Sequence, residues 1–163
     1  MKKNKLNIST GILAIALLSS TAAHADLQPA QPLIFGHAAT TRLDSSQHTA
    51  GTPAVDGVVS KVLYGDPAKG GGLYTILVQV APHKKFTPVA HPVDGFVTVL
   101  SGNWYVGFGD KWKDKDMKKF VSGDYYTIPT NSFHYAETRD QPALVAITGY
   151  GPTSNIYPPS QKH

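Results

Sequence analysis

The sequence contains no cysteine. That absence excludes disulfides, cysteine nucleophiles, thiolate metal sites and a lipid-modified cysteine, so packing alone must hold the folded chain together. There is a single glutamate, Glu137, and only 16% of residues are charged. Helical domains expose many Glu and Lys along their polar faces, and their scarcity here argues for β structure. Outside the first 25 residues no stretch offers twelve residues of helical periodicity free of Gly and Pro. No apolar run reaches the roughly 20 residues needed to cross a bilayer. The 15 glycines and 12 prolines supply many turns and stay below disordered composition.

Lys2, Lys3 and Lys5 lead into a short apolar run at residues 11–18, and Ala23-His24-Ala25 follows with small residues on either side of the histidine. A basic start, a short apolar centre and a small-x-small site form the pattern of a secretory signal peptide. Residues 1–25 are therefore expected to be removed, and the protein to be exported to the periplasm or secreted. The remaining 138 residues, beginning at Asp26, suit one domain with its own core. The formal charge of +4 and the pI near 9.2 would suggest nucleic acid or an acidic membrane surface. Three lysines leave with the signal, and twelve basic residues then face eleven acidic ones, a net +1. Neither a nucleic-acid partner nor an integral membrane segment is expected of the mature chain.

Residues 26–53 are rich in Pro, Thr, Ser and Ala and read as an irregular N-terminal arm, with one short apolar stretch at 33–35 suited to a strand. Residues 54–151 are a succession of short apolar segments separated by turn residues. Strands are expected at 55–64, 73–81, 125–128, 133–138 and 143–150, where β-branched and aromatic residues concentrate. Residues 96–100 and 103–108 flank Ser101-Gly102 and read as a hairpin with a two-residue turn. Lys111 to Lys119 alternates Lys with Asp, so its charges largely cancel, and it reads as a solvated loop. Residues 152–163 form a turn-rich tail. At least seven short strands at regular spacing indicate an all-β, antiparallel sandwich or barrel in a single domain.

Two segments carry the chemistry. The first is His91-Pro92-Val93-Asp94-Gly95 continuing to Gly102, and the second runs from Gly123 through Pro129 and Asn131 to His134. Together they resemble the paired motifs of the cupin superfamily, G-x5-H-x-H-x3-4-E-x6-G and G-x5-P-x-G-x2-H-x3-N. Gly102, Gly123, Pro129, His91 and His134 stand at the family spacing. Asn131 replaces the middle glycine of the second motif, a mild change because Asn tolerates a left-handed backbone. Thr138 stands where the final asparagine is expected. The resemblance implies a jelly-roll β-barrel, and by the habit of the family a homodimer.

In that family a divalent transition metal is the implied cofactor, held by two histidines and a glutamate of the first motif and one histidine of the second. Here the first histidine position is Val89 and the glutamate position is Gly95. Of four ligands only His91 and His134 remain, so these two are both the candidate metal ligands and the candidate contacts to a small molecule. Asp94 and Glu137 have the wrong strand parity to substitute, and the two prolines around His83 leave its direction open. Alternation sends Trp104 and Tyr105 to opposite faces, so one of them should line the interior; Tyr105 joins His91 and His134 as a candidate ligand contact.

Two functions follow from different classes. One is a barrel that binds a small molecule through His91 and His134 after losing two of four metal ligands. The alternative is a metal-dependent enzyme of dioxygenase or isomerase type acting on a small organic substrate with non-standard ligands. No glycine-rich phosphate loop precedes a helix, no nucleophile elbow occurs, and a lone glutamate does not make a glutamate-paired glycosidase. The first expectation open to direct measurement is export. N-terminal sequencing of the exported protein should begin at Asp26, and a start at Met1 would contradict the signal-peptide reading.

Overall fold

The computed structural model describes residues 36, 43 and 48–159. The expected signal peptide and the strand at 33–35 lie outside the described residues. Alternation of apolar with polar residues, punctuated by Gly and Pro, produces eight strands among those described: β1 (Val58–Tyr64), β2 (Leu73–Val80), β3 (Lys85–Val89), β4 (Gly95–Phe108), β5 (Lys118–Val121), β6 (Tyr125–Ile128), β7 (His134–Glu137) and β8 (Ala143–Tyr150). A 3-10 turn lies at Asp114–Asp116. It lies in the Lys/Asp stretch expected as a loop.

All pairings are antiparallel. One sheet runs β1-β2-β8-β4-β6 and the other β3-β7-β4-β5, with β4 common to both. The first half of β4 pairs with β8 and β6, and the second half with β5 and β7. Two sheets curled around one shared strand make the expected jelly-roll barrel.

The hairpin expected at Ser101-Gly102 is not formed. Residues 95–108 are one continuous strand of 14 residues, and the pairing with β8 shifts register between Val99 and Ser101. Gly102 has φ +79, and a Cβ there would run into the carbonyl oxygen of Pro142. A glycine in the left-handed region serves a bulge as well as a turn. Here it bends β4 so that the strand leaves one sheet and enters the other.

Inward-facing Tyr74, Ile76, Val78 and Val80 of β2, Val97 and Val99 of β4, and Val145 of β8 fill the interior, each no more than 4% exposed. Phe86 and Trp104 meet across it with ring centres 5.6 Å apart. Each such side chain contributes about 1.5–3 kcal/mol on full burial, which is how a chain without disulfides is held. Pro88, fully buried, sits in β3, a strand paired on one side only by β7. There its missing N–H costs no ladder bond.

Residues 151–159 pack back onto the barrel. The backbone groups of Ile156 and Ala90 exchange two hydrogen bonds of 2.9 Å, and the Thr153 amide donates to the Pro67 carbonyl. The tail thus extends the β3 edge and crosses the end of the barrel where the first motif lies.

Gly102 and Gly123 separate two costs. Both have positive φ, but nothing lies within 4 Å of a Cβ at Gly123. Gly123→Ala should cost about 1–2 kcal/mol, the left-handed backbone alone. Gly102→Ala should cost about 3 kcal/mol or more, because β8 must also move. Urea unfolding measures both, and equal losses would remove the bend at Gly102 from the account.

Candidate functional site

The two motif histidines come together at one end of the barrel interior. His134 opens β7 and pairs in register with Val89 of β3. His91 lies two residues beyond Val89, ahead of Pro92, which disfavours helical backbone in the preceding residue. Its ring therefore returns to the face that Val89 uses. The ring centres of His91 and His134 are 5.3 Å apart, tilted by 45°. The amide of Asn131 donates to the His91 carbonyl at 2.8 Å, which ties the two motif segments together, and Asn131 has the left-handed backbone (φ 59) expected of it.

Both rings present the same nitrogen to the backbone. His91 Nδ1 lies 2.9 Å from the Ser154 carbonyl oxygen, and His134 Nδ1 lies 3.4 Å from that of Ser132. A carbonyl only accepts, so each Nδ1 carries the proton and each Nε2 keeps its lone pair. Neither Nε2 has a hydrogen-bond partner among the described residues. Burial holds His91 below the ordinary imidazole range, and the Ser154 carbonyl offsets this only in part. Burial first, and then the neighbouring His91, push His134 down to about 4. Near neutral pH the site holds two uncharged imidazoles.

They line a cavity of about 80 Å³ formed by the apolar side chains of both sheets, and Val89 and Gly95 are also in its lining. No Asp, Glu, Lys or Arg lines it. Polar atoms come from His91 and His134, from Tyr126 and Trp104, and from Tyr74, Thr52 and Thr153. Trp104 Nε1 donates to the Tyr126 hydroxyl at 3.0 Å. Tyr74 hydrogen-bonds to Thr153. Thr52 donates to the Thr49 carbonyl at 2.6 Å, which closes a turn at the end of the expected N-terminal arm.

Tyr105 is not among the lining residues; Trp104 is, at 7% exposure. The expectation of a ligand contact at Tyr105 is corrected accordingly. Its ring lies under the Arg139 guanidinium, 4.1 Å from ring centre to Cζ, on the outer face. The register of β4 decides this: Val106 and Trp104 share the inward face, and Tyr105 pairs outward with Lys119 and Glu137. Tyr126, Tyr74 and Thr153 are cavity residues that sequence reasoning did not single out. The inward parity of Tyr126 with Ile128 on β6 was a usable signal; the tail residue had none.

The donor set does not fit the four-ligand ion that the motif resemblance implies. No group of three or more His, Asp or Glu able to hold a metal occurs among the described residues. Asp94 is exposed and accepts from the Thr130 amide and hydroxyl at 2.6 and 2.7 Å, clamping the loops beside the site. Glu137 is buried on the outer face, where its carboxylate accepts from Arg139 Nε at 2.6 Å and lies 3.6 Å from Lys85 Nζ. His83 is exposed, 4.0 Å from Asp140. It occupies the opening glycine position of the first motif and retains a left-handed φ of 59.

No protein-family model matches the sequence, and no curated protein does. Solved structures do resemble it. The polyketide cyclase RemF from Streptomyces resistomycificus is 15% identical, with a TM-score of 0.59 over 78% of this chain and 87% of that one. A cupin 2 domain-containing protein from Halorhodospira halophila is 19% identical, with a TM-score of 0.53 over 66% and 74%. An RmlC-like cupin from Shewanella frigidimarina is 16% identical, with a TM-score of 0.52 over 74% and 92%. At these identities the likeness concerns the fold.

The neutral imidazoles make stability pH-dependent. His134 titrates near 4 in the folded protein and near 6.5 when unfolded. Its contribution is fully present above pH 6.5 and is lost as pH falls toward 4, on the order of 3 kcal/mol in all. His91 acts in the same direction. Urea unfolding between pH 7.5 and 4.5 should show wild type losing more stability than His134→Gln, and parallel curves would contradict burial of a neutral His134.

Proposed function

Because the chain folds as a cupin-type barrel, we propose that it is an exported binding protein that holds a small molecule in the barrel interior, with His91 and His134 as its polar contacts. One observation carries this reading. The His91 and His134 rings line an apolar cavity together with Val89 and Gly95, the two positions to which the motif resemblance assigns further metal ligands. Lone pairs that open onto a cavity are met by whatever occupies it, water or a ligand. A concave apolar pocket with a few convergent polar groups is the ordinary form of a small-molecule site. The fold alone leaves the chemistry open. The basic, apolar and small-residue pattern of residues 1–25 supports export. The exposed apolar side chains Leu73, Phe96, Tyr125 and Tyr150 support a homodimer, which sedimentation of the purified protein measures.

A second reading, a metal-dependent enzyme with non-standard ligands, is favoured by one feature. Two imidazoles sharing an ion at about 2.0–2.1 Å keep their ring centres about 5–6 Å apart, and the observed separation of 5.3 Å lies in that range. Water would then have to complete the coordination.

Restoring the missing donors distinguishes the readings. Gly95 has no positive φ, and a Cβ there meets Ile128 at an ordinary 3.6 Å, so the backbone accepts a side chain. Val89→His with Gly95→Glu should lower stability without metal, through a buried carboxylate, and create transition-metal affinity read as a metal-dependent rise in melting temperature. Wild type under the same titration should shift little. One tightly bound equivalent in wild type, abolished by His91→Ala, would replace the first reading with the second.

A further inference from the structure

We propose that the cavity selects a small uncharged molecule carrying a hydrogen-bond donor and an acceptor, and that Tyr126 is the specificity residue that meets the acceptor. The inference rests on the binding-barrel reading above. Trp104 Nε1 donates to the Tyr126 oxygen at 3.0 Å. An indole N–H only donates, so this bond leaves the tyrosine hydrogen unused, and no acceptor meets it among the described residues. The ring is fixed between Phe120, with centres 4.9 Å apart, and Phe108, edge-on at 6.2 Å. Burial pushes the Tyr126 phenol up, so the hydroxyl stays protonated through the neutral range.

The cavity therefore offers an oriented donor at Tyr126 and two acceptors, the Nε2 atoms of His91 and His134. The Tyr74 hydroxyl is paired with Thr153, a bond that uses one of their two hydrogens. No charged side chain lines the space. A carboxylate would find no cation and would face two imidazole lone pairs; an ammonium would find no carboxylate. Size narrows the class further. The free space of about 80 Å³ is roughly half the 150 Å³ of a cavity that takes benzene. The geometry points to a hydroxyketone of three or four carbons, or the equivalent end of a longer molecule: hydroxyl toward the imidazoles, carbonyl toward Tyr126.

The test uses the mature protein and four probes: hydroxyacetone, acetone, 1-propanol and lactate. The readout is the indole N–H resonance of Trp104, assigned among the two tryptophans by Trp104→Phe. Ligands with so few atoms bind weakly even when well matched, so titrations extend to tens of millimolar. Hydroxyacetone should bind about tenfold tighter than acetone or 1-propanol, the effect of leaving one buried polar partner unmatched. Lactate should not bind. Tyr126→Phe should remove the advantage of hydroxyacetone over 1-propanol and leave 1-propanol unchanged. Equal affinities of the three neutral probes for wild type would overturn the proposal while leaving the binding reading intact, as would a Tyr126→Phe protein that keeps the preference. If that variant folds poorly, the wild-type ranking decides alone. Failure of every probe, 1-propanol included, to move the Trp104 signal overturns both.

Discussion

Strand β4 belongs to both sheets, and the barrel depends on the bend that lets it do so. Its first half hydrogen-bonds to β8 and β6 and its second half to β7 and β5. A regular strand of 14 residues would carry one sheet straight past the other. The left-handed backbone at Gly102 and the register shift beside it turn the strand at a corner, as strands that switch sheets do. The pairing of β4 with β7 then continues through β7 to β3, bringing His134 opposite Val89 and within ring contact of His91. The site at the barrel end is thus a consequence of one glycine at the corner.

The paired histidines would be unstable together if either carried charge. Burial keeps both neutral, and the backbone decides what each can do. The Ser154 and Ser132 carbonyls accept hydrogen bonds from the Nδ1–H groups, which leaves both Nε2 lone pairs as the acceptors. Metal sites use the same device to orient their ligands. Here Val89, in register with His134, supplies no further donor. The tail is part of this arrangement, because Ser154 supplies one of the two carbonyls and the Ile156–Ala90 bridge holds it there.

The only glutamate illustrates the opposite solution on the outer face. Glu137 is 4% exposed, a costly place for a carboxylate without partners. Arg139 and Lys85 provide them, and each cation also covers an aromatic ring, Tyr105 and Trp112. Trp112 in turn rests on Tyr135, whose hydroxyl donates to the Lys113 carbonyl. Tyr105, expected near the ligand, is therefore spent on covering the second sheet.

Strands β1, β2, β6, β7 and β8 were legible in the sequence because alternation of β-branched residues fixes a strand locally. Strand β3 was not, since Pro88 reads as a breaker until an edge position removes the need for its N–H. Strand β5 was hidden by the Lys/Asp stretch that precedes it, and β4 was read as two strands because a left-handed glycine is the mark of both a turn and a bulge. Motif spacing brought His91 and His134 into one site, and by resemblance assigned Val89 and Gly95 the positions of two further donors, because spacing along paired strands sets which residues can meet. Only the tertiary structure decided that Trp104 and not Tyr105 faces inward, that the Tyr126 hydroxyl accepts from Trp104, and that Ser154 of the tail orients His91. Those facts depend on contacts between segments 22 to 63 residues apart, and local chemistry carries no information about which distant backbone group will arrive.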